Sequence, residues 1–158
     1  MQENEKITER LIWASHSDAE KNQNLAGQCV RHYDTAGLVQ LESLSLTGTI
    51  LSQSRQLIAD DQEADWRSDD ENNRRTKLND NILTTQNKTD AIGALLTQID
   101  AKGNVQRLAY DVAGQLKGSW LTLKGQSEKV IVRSLTWSAT GREIQQQQLH
   151  HIQWLKWH

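Results

Sequence analysis

Asp100-Ala101-Lys102-Gly103-Asn104-Val105-Gln106-Arg107-Leu108-Ala109-Tyr110-Asp111-Val112-Ala113-Gly114-Gln115-Leu116 spells one phrase twice: Asp, two variable residues, Gly, one variable residue, then an aliphatic. The phrase occurs again at Asp34-Gly37-Val39 and Asp90-Gly93-Leu95. With 9 Gly in 158 residues, chance would place Asp-x-x-Gly only about 0.6 times even before an aliphatic is required, so a fixed phrase recurring this often marks a repeat architecture. Two looser copies begin with Ser: Ser45-Gly48-Ile50, and Ser138-Gly141 without the aliphatic. The phrase has the chemistry of a hairpin loop. The Asp carboxylate accepts from backbone N–H groups just ahead of it, Gly takes the left-handed conformation needed for reversal, and the aliphatic opens the return strand. A single copy is no more than an ordinary β-turn. The spacings of 10 and 11 residues between the copies at Asp90, Asp100 and Asp111 are those of successive antiparallel hairpins.

Working outward, the turn residues Asp34, Gly37, Gly48, Asp90, Gly93, Asp100, Gly103, Asp111 and Gly114 divide the chain into short apolar strands, and Tyr33 and Tyr110 precede two of the Asp residues at half-buried strand ends. Leu11-Ile12-Trp13 reads as a strand, and Ser17 to Asn24 as a short helical turn with Asp18 as its cap. From Gln28 to Ile58 the pattern is strand, turn, strand, turn, strand. The apolar phase shifts between Val39-Leu41 and Leu44-Leu46, which predicts a bulge in the middle strand. Asp60 to Asn81 is rich in Asp, Glu, Asn and Arg, with Trp66 and Leu78 its only large apolar residues, and reads as a polar surface excursion, partly helical at best. Strands resume at Leu95-Leu96, Val105 to Tyr110, Leu116 to Leu123 and Val130 to Trp137, punctuated by Gly118, Gly125 and Gly141. The fold class is therefore mainly all-β, antiparallel hairpin repeats forming part of a curved sheet.

Composition excludes several functions. A net charge of -2, from 18 Lys+Arg against 20 Asp+Glu, gives no electrostatic case for nucleic acid or an anionic membrane. A single Cys29 excludes an intrachain disulfide. No apolar run approaches the ~18 residues of a membrane span, and Met1-Gln2-Glu3-Asn4-Glu5-Lys6 is too acidic and polar for a signal peptide, so the chain made alone would stay in the cytoplasm. Pro is absent where average usage predicts about eight, which removes a common means of blunting sheet edges.

Candidate chemistry is thin. Cys29-Val30-Arg31-His32 could be half of a zinc site, but no second half exists, and a packed Cys beside a strand His explains it. His150, His151 and His158, with Trp154 and Trp157, could be metal ligands or interface anchors, but their spacing fits no closed zinc site, and the segment reads as a terminal tail. Asn87-Lys88-Thr89 is an acceptor sequon without a secretory context. There is no nucleotide-binding Gly-rich loop, nucleophile elbow or His-Glu-x-x-His. The four Asp residues each precede a Gly at the same offset, so turn chemistry accounts for them without calcium or carboxylate catalysis, and no cofactor is implied.

Tyr33-Asp34-x-x-Gly37 and Tyr110-Asp111-x-x-Gly114 resemble the YD repeats of the RHS type. Thr8-Glu9-Arg10-Leu11-Ile12-Trp13-Ala14, Arg31-His32-Tyr33-Asp34-Thr35-Ala36-Gly37, Gly93-Ala94-Leu95-Leu96-Thr97-Gln98, the opening stretch from Asp100, and Ala113-Gly114-Gln115-Leu116-Lys117-Gly118-Ser119-Trp120-Leu121-Thr122-Leu123-Lys124-Gly125 resemble, more specifically, the N-terminal region of the C subunit of bacterial insecticidal toxin complexes. The resemblance runs from about Thr8 to Gly141. It implies a scaffold: in that family the repeats of the C and B subunits wind a β-sheet strip into a hollow shell around a toxic segment, which a pore-forming A subunit delivers. The implied partners are the toxin-complex B subunit and the remaining C-subunit repeats, and the implied setting is a secreted complex. The family's self-cleaving aspartyl protease and its toxin lie beyond this segment, so no catalytic residue transfers.

The expected organisation is a shell segment over 1–141, with its polar insertion at about 60–81, and an unrelated Gln-, His- and Trp-rich tail over 142–158. The abrupt change after Gly141 is what a frameshift in a truncated C subunit would produce; translating the flanking DNA in the other frames tests this. Open strand edges predict association of the chain made alone. The competing reading is a standalone module whose exposed aromatics, Tyr33, Trp120 and Trp137, bind glycan or protein.

Overall fold

The computed structural model describes residues 5–137 and 143–148. The chain divides into two compact units, Met1–Gln86 and Asn87–His158. In the first, β1 (Arg10–Trp13), β2 (Cys29–Asp34), β3 (Gly37–Leu44), β4 (Ile50–Ile58) and β5 (Leu78–Thr89) each pair antiparallel with the next, with short helices α1 (Asp18–Asn22) and α2 (Glu71–Arg75) in two of the connections. In the second, β6 (Leu95–Ile99), β7 (Val105–Tyr110), β8 (Leu116–Thr122), β9 (Lys129–Trp137) and β10 (Glu143–Gln148) do the same.

Register fixes which side chains share a face, because successive strand residues point to opposite sides. Arg10, Tyr33, Leu38, Gln56 and Ile82 stand opposite one another across the first unit, and Leu11, His32, Val39, Arg55 and Leu83 form the adjacent row on the other face. The phase shift in β3 is resolved by register irregularities between Leu41 and Ser43 and between Ser43 and Leu44. They let Leu41 pack against a small core of Ala14, Leu25, Val30 and Leu44.

Four local readings differ from the structure. The helical cap near residue 18 is Ser17, not Asp18: the Ser17 hydroxyl accepts from the Glu20 N–H while the Glu20 carboxylate accepts from the Ser17 N–H, a reciprocal capping box. The Ser15 and Ser17 hydroxyls donate to the same carboxylate and hold it at about 2. Gly118 does not punctuate a turn but lies inside β8 opposite Ala109, where a Cβ would stand 2.7 Å from the Trp120 ring. The polar excursion, partly helical at α2, ends earlier and is better anchored than its composition suggests: β5 already begins at Leu78, and Trp66 is 0% exposed. Residues 143–148, assigned to the tail, pair with β9 as β10. Ser138, Gly141, His150, His151, Trp154, Trp157 and His158 lie outside the described residues.

Segment 59–77 acts as a strap. It leaves β4, crosses the face that carries Tyr33 and Leu38, and reaches the segment before β1, where the Trp66 N–H donates to the Ile7 carbonyl at 2.7 Å. Its composition concealed this because one aromatic carries most of the burial. Trp66 forms a buried cluster with Tyr33, Leu38 and Leu78, and Ile12, Ile58 and Ala64 pack against that cluster. Burying a Trp contributes on the order of 4–6 kcal/mol gross, before the entropy of ordering the strap is subtracted.

Candidate functional site: repeat turns and a strapped hairpin

Three Asp turns share one loop. Asp90 Oδ1 accepts from the N–H groups of Ile92 at 3.0 Å and Ala94 at 2.8 Å; Asp100 from Lys102 and Asn104, both at 2.9 Å; Asp111 from Ala113 and Gln115, both at 2.9 Å. In each, the Asp N–H also donates to the carbonyl four residues on, and the Gly N–H to the Asp carbonyl. Gly93, Gly103 and Gly114 have φ of 89°, 82° and 78°, as a type I turn followed by a left-handed residue requires. The Ser45 copy closes in the same way, with Ser45 Oγ accepting from the Thr49 N–H at 3.0 Å and Gly48 at φ 81°. The side-chain amide and N–H of Asn104, against the opposing effect of desolvation, hold the Asp100 carboxyl below its ordinary value.

The first copy is spelled alike and folds differently. Asp34 pairs directly with Gly37 around a two-residue loop, its Oδ1 accepting from Ala36 and Gly37 at 2.8 and 2.9 Å. Gly37 sits at φ 140°, buried, and a Cβ there would lie 2.2 Å from the Gln56 carbonyl oxygen. The Arg55 guanidinium reaches the same Asp34 oxygen at 3.0 Å. Burial pulls the Asp34 carboxyl upward, but the Ala36 N–H, Arg55 and the Gly37 N–H together hold it below its ordinary 3.8.

The two repeat tyrosines diverge as well. Tyr110 donates its phenol to the Leu95 carbonyl at 2.8 Å, tying the turn at Asp111 to the strand that follows the turn at Asp90. Tyr33 is 0% exposed, with Trp66 5.0 Å from its ring centroid on one side and the Arg74 guanidinium 5.0 Å away. Trp66 in turn donates from its indole N–H to the Asp34 carbonyl at 3.0 Å. Arg10 clamps the strap from β1, donating to the carbonyls of Trp66 and Ser68 at 3.0 Å and to Asp69 at 2.6 Å. Trp66, Arg74 and Arg10 escaped the sequence reading. The one available signal was a lone Trp within a polar stretch.

The aromatics of the binding-module reading are differently placed. Tyr33 is enclosed, and the Arg107 guanidinium lies 4.1 Å over the Trp120 ring while donating to Glu128 at 2.8 Å. The Trp137 side chain is outside the described set. Among the described residues no three His, Cys, Asp or Glu side chains form a metal-binding group, and no helix is long and apolar enough to cross a membrane. What the arrangement can do is hold a row of backbone ladders and end loops at fixed spacing.

No protein-family model matches the chain. Toxin subunit YenC2 of Yersinia entomophaga is 52% identical over 149 residues, covering 92% of this chain. Toxin subunit YenC1 of the same organism is 50% identical over 143 residues, covering 90%. The chain spans 15% of the length of these curated relatives. Among solved structures, the TcdB2-TccC3 complex is similar at 64% identity and a TM-score of 0.89, over 93% of this chain and 7% of that chain. A Photorhabdus luminescens Tc holotoxin pore carrying a TccC3 mutation is similar at 64% identity and a TM-score of 0.89, over the same shares of 93% and 7%.

Proposed function

The chain belongs, over the segment it spans, to the C subunits of bacterial insecticidal toxin complexes, and we propose that it serves as a non-catalytic wall element of such a subunit's shell. One observation carries this reading. The turns at Ser45, Asp90, Asp100 and Asp111 reproduce a single loop geometry within antiparallel meanders, which is how a strip of wall is extended hairpin by hairpin. Asp34, Arg10 and Asp100 direct most of their hydrogen bonds to backbone and turn groups.

The partners on this reading are the toxin-complex B subunit and further C-subunit repeats, since a relative's structure contains TcdB2 together with TccC3. Its place outside the cell is reached as part of that assembly. The wall element takes residues 1–148, with the strap as its insertion, since Glu143–Gln148 pair with β9. Co-purification tests the proposal. The chain, tagged and co-expressed with a toxin-complex B subunit and the missing C-subunit repeats, is expected to be retained with them; failure of these partners to hold it, while the chain alone is folded by circular dichroism, would sink the wall reading.

A further inference from the structure

On the face crossed by the strap, Gln40, Glu42, Ser54, Gln56 and Arg75 line a cavity of about 90 Å³. Gln40 and Ser54 stand directly opposite each other on β3 and β4, and Gln56 is the next residue along on the same face. Two of these amides have their orientation set by partners that can play only one role. Arg75 can only donate, and it does so to Gln40 Oε1 at 2.8 Å, so the Gln40 amide nitrogen is left for the cavity. The Asn79 carbonyl can only accept, and it takes Gln56 Nε2 at 2.5 Å, so the Gln56 oxygen is left. Ser54, 7% exposed, lines the cavity beside them. Glu42 gives one carboxylate oxygen to the Ser52 hydroxyl at 2.7 Å and keeps the other.

The cavity thus offers donors and acceptors side by side, the Ser54 hydroxyl, a guanidinium and a carboxylate. A cation entering it would meet Arg75, and an anion would meet Glu42. The group that fits is neutral, donates on one side and accepts on the other, and has only a few heavy atoms: a carboxamide. A second depression of about 260 Å³ shares Gln40 and Glu42 and adds the apolar Leu25, Val30 and Leu41 beside one further charge of each sign, Arg31 and Glu20, room for the body that carries the amide. None of these lining residues is aromatic, so the stacking surface a sugar ring uses is missing. We propose that this paired cavity is a binding site for an extended polypeptide segment that inserts an Asn or Gln side-chain amide between Gln40, Ser54 and Gln56. The site stands on its own geometry and does not depend on the wall reading.

The full 158-residue chain, labelled with nitrogen-15, can be titrated with N-acetyl-glutamine methylamide and with its glutamate and lysine counterparts. At ordinary ligand efficiency a probe this small binds at about 1 mM. The expected result is saturable movement of the Gln40 and Gln56 side-chain amide signals with the glutamine probe, and at least tenfold weaker binding of both charged probes. Ser54→Ala should weaken binding several-fold. Gln40→Glu, which keeps its Arg75 partner and so the fold, should abolish it. Absence of saturable movement up to about 50 mM in a native spectrum, equal binding of all three probes, or no loss in either variant overturns the proposal.

Discussion

Gly37 and Gly114 occupy the same place in the same written phrase, yet substitution should separate them. At Gly114, φ is 78° and nothing lies within 4 Å of a built Cβ, so Ala meets only the left-handed penalty of about 1–2 kcal/mol. At Gly37 the Cβ would enter the Gln56 carbonyl at 2.2 Å in a conformation reserved for Gly, and the backbone of β3 or β4 must shift. We expect Gly37→Ala to lose more than about 4 kcal/mol in urea unfolding and Gly114→Ala under about 2 kcal/mol; equal losses would show that the two turns are alike after all. Asp34 adds a pH dependence. Its folded value lies below 3.8, so its contribution is complete above 3.8 and is lost as pH falls through the lower folded value. Asp34→Asn should therefore flatten the acid limb of the stability profile while leaving the fold intact; an unchanged slope would mean Arg55 and the turn amides do not favour the ionised form. The loop chemistry was legible at this scale because an Asp or Ser five residues ahead of the return strand, with Gly between them, has few other uses. The difference between Gly37 and its counterparts was not, since the carbonyl that crowds it comes from β4, remote in sequence.

Among the elements, the meander could be read from turn spacing and the strap could not. A hairpin announces itself through neighbours a few residues apart, whereas the strap is held by pairs such as Arg10 with Ser68 and Trp66 with Asp34, 58 and 32 residues apart. Polar composition then misled: Asp, Glu, Asn and Arg along 60–77 serve as caps and clamps rather than as solvated filler, as Asp70 does by accepting from the Asn72 N–H at 2.9 Å. We expect Trp66→Ala to cost about 3–5 kcal/mol in the first unit and Trp66→Phe less, measured by urea unfolding with the far-ultraviolet signal. A loss under about 1 kcal/mol for Trp66→Ala would mean the strap merely lies on the sheet. The paired cavity beside it was invisible for a related reason: its charges arrive from α2 and β3, and only the fold sets Arg75 beside Gln40.

For the molecule as a whole, the family resemblance is carried by long stretches such as Asp100 to Asp111, while the strand at Glu143–Gln148 is illegible in sequence because four consecutive Gln carry no alternation. The strap has a further consequence, in time rather than in space. Each hairpin needs only residues that lie close behind it on the chain, so during synthesis strands can pair in the order in which they are made. The edge strand is the exception: Arg10 cannot complete its hold until Asp69, 59 residues later, has been made. Closing so long a loop is slow relative to a hairpin turn. On refolding, pulse-labelled amides in β7 and β8 should become protected before the Trp66 amide, and simultaneous protection would refute that order. The wall would then grow quickly from its repeats while its first strand is fastened late.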